Sequence, residues 1–205
     1  MLFFLILLIT YILITGILFN HLLKPRQPDF SRYFSPNQKF VSQMEGLSLI
    51  VKKVENNWAY CRAELNPFAA GPPEHIHEHF DESFTVAEGT ASFLINGEKI
   101  TVQAGETIVI PKGVPHKPFN ETAKLLIMDD VTNQHPSMTA SFAYGLTNIY
   151  SAMDKIGNPQ SPLNLLALAA QGNDFDTWDS KIPLGVQKAL RWILGPTARL
   201  LGYGK

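Results

Sequence analysis

Three textures of apolar and polar positions follow one another along the chain. The first is unbroken: the run from Met1 to Leu23, "MLFFLILLITYILITGILFNHLL", contains no Asp, Glu, Lys or Arg. As a helix rising about 1.5 Å per residue it would reach roughly 34 Å, enough for a hydrocarbon core of about 30 Å. No basic residue precedes the run and no A-x-A follows it, both of which a cleaved signal peptide needs. The pattern predicts a single uncleaved transmembrane anchor over residues 1–23. Residues 24–46, with their prolines and mixed polar side chains, read as a juxtamembrane linker.

The second texture, residues 47–131, consists of short runs rich in Val, Ile, Phe and Thr, broken by turn residues. "SLIVKKV", "WAYCRAEL", "ESFTVAEG", "ASFLI", "EKITV", "ETIVI" and "KLLIMDD" are the predicted strands. In "LINGEKI", Asn96-Gly97 joins two alternating runs and predicts a tight hairpin. Many short strands at even spacing imply an antiparallel sandwich or barrel. The third texture, residues 132–205, has helical length and spacing in "SMTASFAYGLTNIYSAM", "SPLNLLALAAQ" and "PLGVQKALRWIL". Ser161-Pro162 and Pro183 read as helix openers and Gly195-Pro196 as a stop.

Composition narrows the function classes. Apolar residues make up 45% and charged residues 17% of 205, so a substantial core is available. A formal net charge of -1 argues against a protein that covers nucleic acid with positive charge. The single cysteine, Cys61, excludes an internal disulfide and any multi-cysteine zinc site, and it reads as a small buried hydrophobe. Lys24, Arg26 and Arg32 follow the apolar run, and the positive-inside bias places the rest of the chain in the cytoplasm. From 181 to 205 the basic residues Lys181, Lys188, Arg191, Arg199 and Lys205 alternate with Leu184, Leu190, Trp192, Ile193, Leu194, Leu200 and Leu201, without an acidic residue. Such a helix can lie on an anionic membrane. The plainer expectation is that its leucines pack on the β region or on a second copy.

Chemistry concentrates in "EHIHEHFDE", residues 74–82. In a strand His75, His77 and His79 point to one side, so alternation alone does not choose among them. Neighbouring histidines on that side are about 7 Å apart along the backbone and can serve one ion at metal–nitrogen bonds of about 2.0–2.1 Å. Glu82 has the opposite parity and joins them only if the chain bends. A solvated His/Glu-rich edge is the alternative without a metal. Farther on, "GETIVIPKGVPHKPFN" ends a strand at Pro111, turns at Gly113 and delivers His116 in a fixed direction.

Together these stretches resemble the two signature motifs of the cupin superfamily. His75-Ile76-His77, four residues, Glu82, six residues and Gly89 follow the first motif; Gly105, Pro111, Gly113, His116 and Asn120 follow the second. One position departs: Ala69 stands where a glycine is usual, with Gly71 nearby. The resemblance covers roughly residues 47–130. It implies a mainly β fold, a small double-stranded β-helix (jelly-roll) barrel, here with one N-terminal transmembrane helix and an α-helical C-terminal extension. It implies one divalent transition metal (Fe, Mn, Ni, Cu, Co or Zn) held by His75, His77, Glu82 and His116, with open positions for a small molecule. Under that register His79 is a rim residue, Glu74, Glu78 and Asp81 are solvated charges, and Asn120 fixes a turn. Phe84, Phe93 and Ile110 read as core. Oxygenase or isomerase chemistry, a non-catalytic binding module, and a scaffold whose helices make the contacts are the functions such a site and anchor imply. Cupins often pair two copies through such extensions.

Overall fold

An apolar run without proline folds as one helix from Leu2 to Leu22: α1 (Leu2–Leu13), a π-helical stretch (Ile14–Phe19) and α2 (Asn20–Leu22). It belongs to a computed structural model that describes residues 1–25, 27–158 and 161–204. By length and composition this helix is apolar enough to cross a membrane. Arg26 and Lys205, which entered the charge readings above, lie outside the described residues. A short helix, α3 (Phe30–Tyr33), follows, its start capped by the Asp29 carboxylate accepting from Ser31 N at 3.1 Å.

The strands are β1 (Gln38–Ser42), β2 (Leu47–Glu55), β3 (Trp58–Leu65), β4 (His75–Ile76), β5 (Glu82–Glu88), β6 (Thr90–Ile95), β7 (Glu98–Gln103), β8 (Thr107–Ile110), β9 (His116–Phe119), β10 (Leu126–Asp129), β11 (Met138–Thr139) and β12 (Trp178–Asp179). They form a sheet of seven, ordered β1-β2-β3-β10-β5-β8 with β11 on β3, and a sheet of five, ordered β12-β4-β9-β6-β7. Among the described residues every strand pairing is antiparallel. β1 falls in the segment that its prolines suggested as a linker; it pairs along β2 from Gln38↔Val51 to Ser42↔Leu47. The expected hairpin forms: Ile95 faces Glu98, and Asn96 and Gly97 adopt φ of 51° and 81°, as a two-residue turn of matching twist requires.

The sheets do not close into the expected barrel. β1 and β8 end one and β12 and β7 end the other, so side-chain packing rather than a shared ladder joins them. Phe84 on β5 meets Phe93 on β6 with ring centroids 5.1 Å apart, among the buried Leu49, Val51, Val86 and Leu126. Phe93 and Ile110 are core as expected, and Phe84 packs partly buried against it. Burying side chains of this kind contributes about 1.5–3 kcal/mol each.

Three helices complete the chain: α4 (Ala140–Ile156), α5 (Leu163–Ala170) and α6 (Leu184–Leu200). Thr139 caps α4, its hydroxyl accepting from Phe142 N, and Gly157 ends it at φ 66° in the left-handed region. Asp154 near its end accepts from Gln43 N at 3.0 Å and Met44 N at 3.1 Å, fastening the helix to the β1–β2 turn.

Gly195-Pro196 does not stop α6, which runs through both. Proline has no N–H, so the carbonyl four residues back, Trp192 O, lacks its helical partner. Asn20 of the N-terminal helix supplies one, its Nδ2 donating to Trp192 O at 2.6 Å. Gly195 lets α5 approach: a Cβ there would stand 2.8 Å from Ala169 O. Likewise a Cβ at Gly16 would overlap the Trp192 ring at 2.0 Å. The basic residues of α6 are largely spent inside the molecule. Arg191 is buried, Arg199 Nε donates to Leu23 O at 2.7 Å, and Lys188 pairs with Glu78 at 2.9 Å. The tail therefore packs on α5 and the N-terminal helix, while Val186, Leu190, Leu200 and Leu201 remain exposed.

Candidate metal centre

Two prolines, Pro72 and Pro73, keep the chain extended before β4, and the glycine requirement ahead of them falls at Gly71 rather than at position 69. Gly71 has φ 66°, and a Cβ there would sit 2.0 Å from Pro118 O. Ala69 is buried and its carbonyl accepts from Asn120 N at 3.0 Å, so the departure from the motif leaves the turn intact.

β4 is two residues long and places His75 directly opposite His116 of β9. The chain then leaves strand geometry, buries Phe80, and re-enters a strand at Glu82 on β5 of the other sheet. That departure removes the parity objection to Glu82. His75, His77, Glu82 and His116 converge, with one donor atom from each within 4.8 Å of the others. Ring centroids are 4.9 Å apart for His75–His77, 4.5 Å for His75–His116 and 5.3 Å for His77–His116. His77, Glu82 and His116 are buried at 1%, 4% and 1% exposure, and His75 is the most open of the four.

Each histidine uses Nδ1 on a backbone carbonyl: His75 on Pro73 O at 2.8 Å, His77 on Asp176 O at 2.5 Å and His116 on Val114 O at 2.8 Å. A carbonyl only accepts, so Nδ1 carries the proton in all three and Nε2 is the free ligand atom. Nε2 of His77 and of His116 lies 3.3 and 3.0 Å from the same oxygen, Oε2 of Glu82. Three imidazole nitrogens and a carboxylate aimed at one buried point repel unless a cation or a proton sits among them. The set fits a metal: two ligands on opposite sides of an ion at about 2.0–2.2 Å lie roughly 4 Å apart, close to the spread seen here. This group could hold a metal ion.

Electrostatics of the metal-free group follow. Burial, reinforced by His77 and His116, pushes His75 down to about 3. Burial alone would raise Glu82, but in the metal-free group a proton at Nε2 of His116 or His77 is donated to its carboxylate and holds it well below the usual carboxylate range. Burial disfavours a charged His116, yet its hydrogen bond to Glu82 raises it above the ordinary imidazole value. The unfolded chain takes up a proton on His75 near 6.5 that the folded chain refuses until about 3. Glu82, lowered on folding, adds a loss once acid reaches the unfolded carboxylate range. His116, raised on folding, contributes stability that is full below its unfolded value and fades as pH rises through the folded one. Metal-free protein should be most resistant to urea near pH 6.5 and lose resistance steadily toward pH 3, measured as unfolding midpoints in chelator. An unchanged midpoint across that window would refute the His75 assignment.

The neighbouring charges have partners rather than only water. His79 stands outside the group, its side chain 74% exposed, with Nδ1 3.2 Å from Asp176 Oδ2. Glu74 accepts from Ser180 Oγ at 2.5 Å, Glu78 pairs with Lys188, and Asp81 accepts from Lys112 N at 2.9 Å. Asn120 is buried and its Nδ2 donates to Leu65 O, Asn66 O and Lys124 O, fixing the turn as expected.

Sequence reasoning missed what surrounds His77. Phe80 stacks on its ring at 4.3 Å, Phe142 of α4 meets it edge-on at 4.7 Å, and Asp176 supplies its carbonyl. Two of these come from the C-terminal extension, roughly 65 and 99 positions away, and no motif marks them.

Residues 61–131 match the family model described as Cupin domain, a stretch that includes all four converging side chains. Among solved structures, a cupin-2 domain containing protein from Shewanella frigidimarina is 32% identical, over 39% of this chain and 74% of its own, with a TM-score of 0.35. A sugar phosphate isomerase from a cupin superfamily, from Silicibacter pomeroyi, is 19% identical, over 46% of this chain and 62% of its own, with a TM-score of 0.39. KdgF from a Halomonas species is 21% identical, over 44% and 83% respectively, with a TM-score of 0.39. None of the curated proteins compared matches the chain. By the family-model match residues 61–131 form a cupin domain.

Proposed function

We propose that this chain binds one divalent transition metal through His75, His77, Glu82 and His116 and acts there on a small molecule. The observation that carries the reading is the common use of Nδ1: three backbone carbonyls fix the three rings, and Nε2 of His77 and of His116 meets the Glu82 carboxylate. A bound ion of this ligand set supplies Lewis acidity or, for a redox metal, one-electron chemistry beside its open positions. The chain's own contribution is to orient the four ligands and to exclude water on the His77 side with Phe80 and Phe142. His75, the most exposed ligand, marks the side from which a small molecule reaches the group. Oxygenase or isomerase turnover is the reading we adopt over a purely binding role. The test is metal analysis of the full chain in detergent, followed by oxygen uptake and isomerisation screens of the loaded protein. Turnover that disappears in His116→Ala supports the reading; a loaded protein that binds small molecules without turnover makes it a binding module.

The helix Leu2–Leu22 we assign as the anchor, with the β sheets on the cytoplasmic side beyond Lys24 and Arg32. Its apolar side chains are exposed, and its last turns dock on α6 through Gly16 and Asn20. Full chain should stay with the membrane through high salt and alkaline washing, with Met1 intact; release by either wash would refute the anchor.

A further inference from the structure

We propose that the segment around β12 is a working part of the metal centre and that Asp176 is the positioning residue for His77. This rests on the metal reading above but concerns residues outside the matched domain, which ends at 131. The chain returns after α5 and lays β12 against β4, with Trp178 opposite Ile76 and Asp179 opposite His75. Without it β4 would be a two-residue edge strand carrying His75 and leading straight into His77.

Asp176 grips the ligand loop from both of its ends. Its backbone carbonyl receives Nδ1–H of His77 at 2.5 Å, which fixes the tautomer and the ring direction. Its carboxylate accepts Glu78 N through both oxygens at 3.0 Å, His79 N at 2.8 Å and Trp178 Nε1 at 2.9 Å. The carboxylate therefore shapes the backbone that follows His77 while the carbonyl sets the ring itself. Those donors hold Asp176 below the usual carboxylate range against a burial effect that would raise it.

The segment is itself fastened from α6. Arg191 lies buried with its guanidinium 3.8 Å from the Trp178 ring centroid, and it donates to Phe175 O at 2.7 Å, to Gly172 O at 3.1 Å and to Thr177 O. Carbonyls on both sides of Asp176 are thus held by one rigid planar donor. From the other side Phe175 stacks on Phe142 at 5.3 Å, the ring that packs on His77. Every contact fixes where the Asp176 carbonyl stands relative to His77 Nδ1.

The test uses full chain in detergent and Co(II) as probe, comparing the unaltered protein with Asp176→Ala, Asp176→Asn and His79→Ala. Asp176→Asn keeps the shape and one acceptor oxygen, so it remains folded if the alanine variant does not. Both substitutions keep the backbone carbonyl but weaken the carboxylate bonds that hold it against the ligand loop, and loosening the support of a metal-bound histidine weakens metal affinity by about 10–100-fold. We expect Co(II) affinity, read by chelator competition, to fall by that factor in Asp176→Ala and by less in Asp176→Asn. The visible Co(II) bands should shift in both, because His77 turns, and His79→Ala should leave affinity and bands unchanged. A role confined to stability predicts lower unfolding midpoints with unchanged affinity and bands well below the melting temperature, and that result overturns the proposal. If the unaltered chain itself takes up no Co(II), the metal reading fails and this inference with it.

Discussion

Replacing His116 by alanine is expected to empty the metal site. His116 stands opposite His75 across β4 and β9 and shares Glu82 with His77, so its removal takes away one nitrogen ligand and the contact that joins the two sheets at the site. A metal that binds only the folded chain stabilises it by about 2.7 kcal/mol at a hundred times its dissociation constant. For a chain of this size the metal-dependent loss amounts to roughly 5–10 °C in melting temperature, and that part should vanish when both proteins are stripped of metal. His79→Ala should bind metal as the unaltered chain does, because that side chain is exposed and turned toward Asp176. Metal per chain by elemental analysis and paired melts with and without chelator give both answers. Full occupancy in His116→Ala would place the ligands elsewhere.

Phe142→Ala should produce the largest loss of stability that a single truncation outside the ligands can. The ring is 3% exposed and touches His77, Phe80 and Phe175 with centroids 4.7, 5.4 and 5.3 Å away. Emptying such a position costs about 3–5 kcal/mol, the transfer of the ring plus the cavity it leaves. That cavity would open between α4, the ligand loop and the Asp176 segment, so metal affinity should fall as well. Phe142→Leu should recover most of the stability, because it refills much of the volume. Urea unfolding of the metal-free chains measures the first effect. A cost below about 1 kcal/mol would mean that α4 does not pack on the ligand loop as described.

Much of the β architecture was legible because alternation and turn chemistry act locally. "WAYCRAEL" became β3 and Asn96-Gly97 became the turn between β6 and β7, since each needs only near neighbours to be determined. β1 was not legible: its five residues pair only because β2 offers an open edge, a fact about partners rather than about the segment. The open sheets escaped for a similar reason, as closure depends on whether β8 and β7 meet. Pro196 misled because a proline ordinarily leaves a carbonyl bare, and here Asn20 fills that vacancy from 172 positions away.

At the site, spacing identified the histidines but not their partition. His75, His77 and His79 share parity, and only the motif register put Glu82 in and His79 out, which the bend after β4 explains physically. The surroundings of His77 could not be read at all. Phe142 and Asp176 act through one ring contact and one backbone carbonyl, and a backbone carbonyl has no side-chain identity for a sequence to show.

The most direct measurement is metal-edge X-ray absorption of the purified full chain, with metal content determined on the same sample. The account predicts about one divalent metal per chain, bound by imidazole nitrogens and carboxylate oxygen without sulfur, and lost in His77→Ala and His116→Ala. Metal well below one per chain that the two alanine variants retain, or a spectrum lacking imidazole ligands, would contradict it.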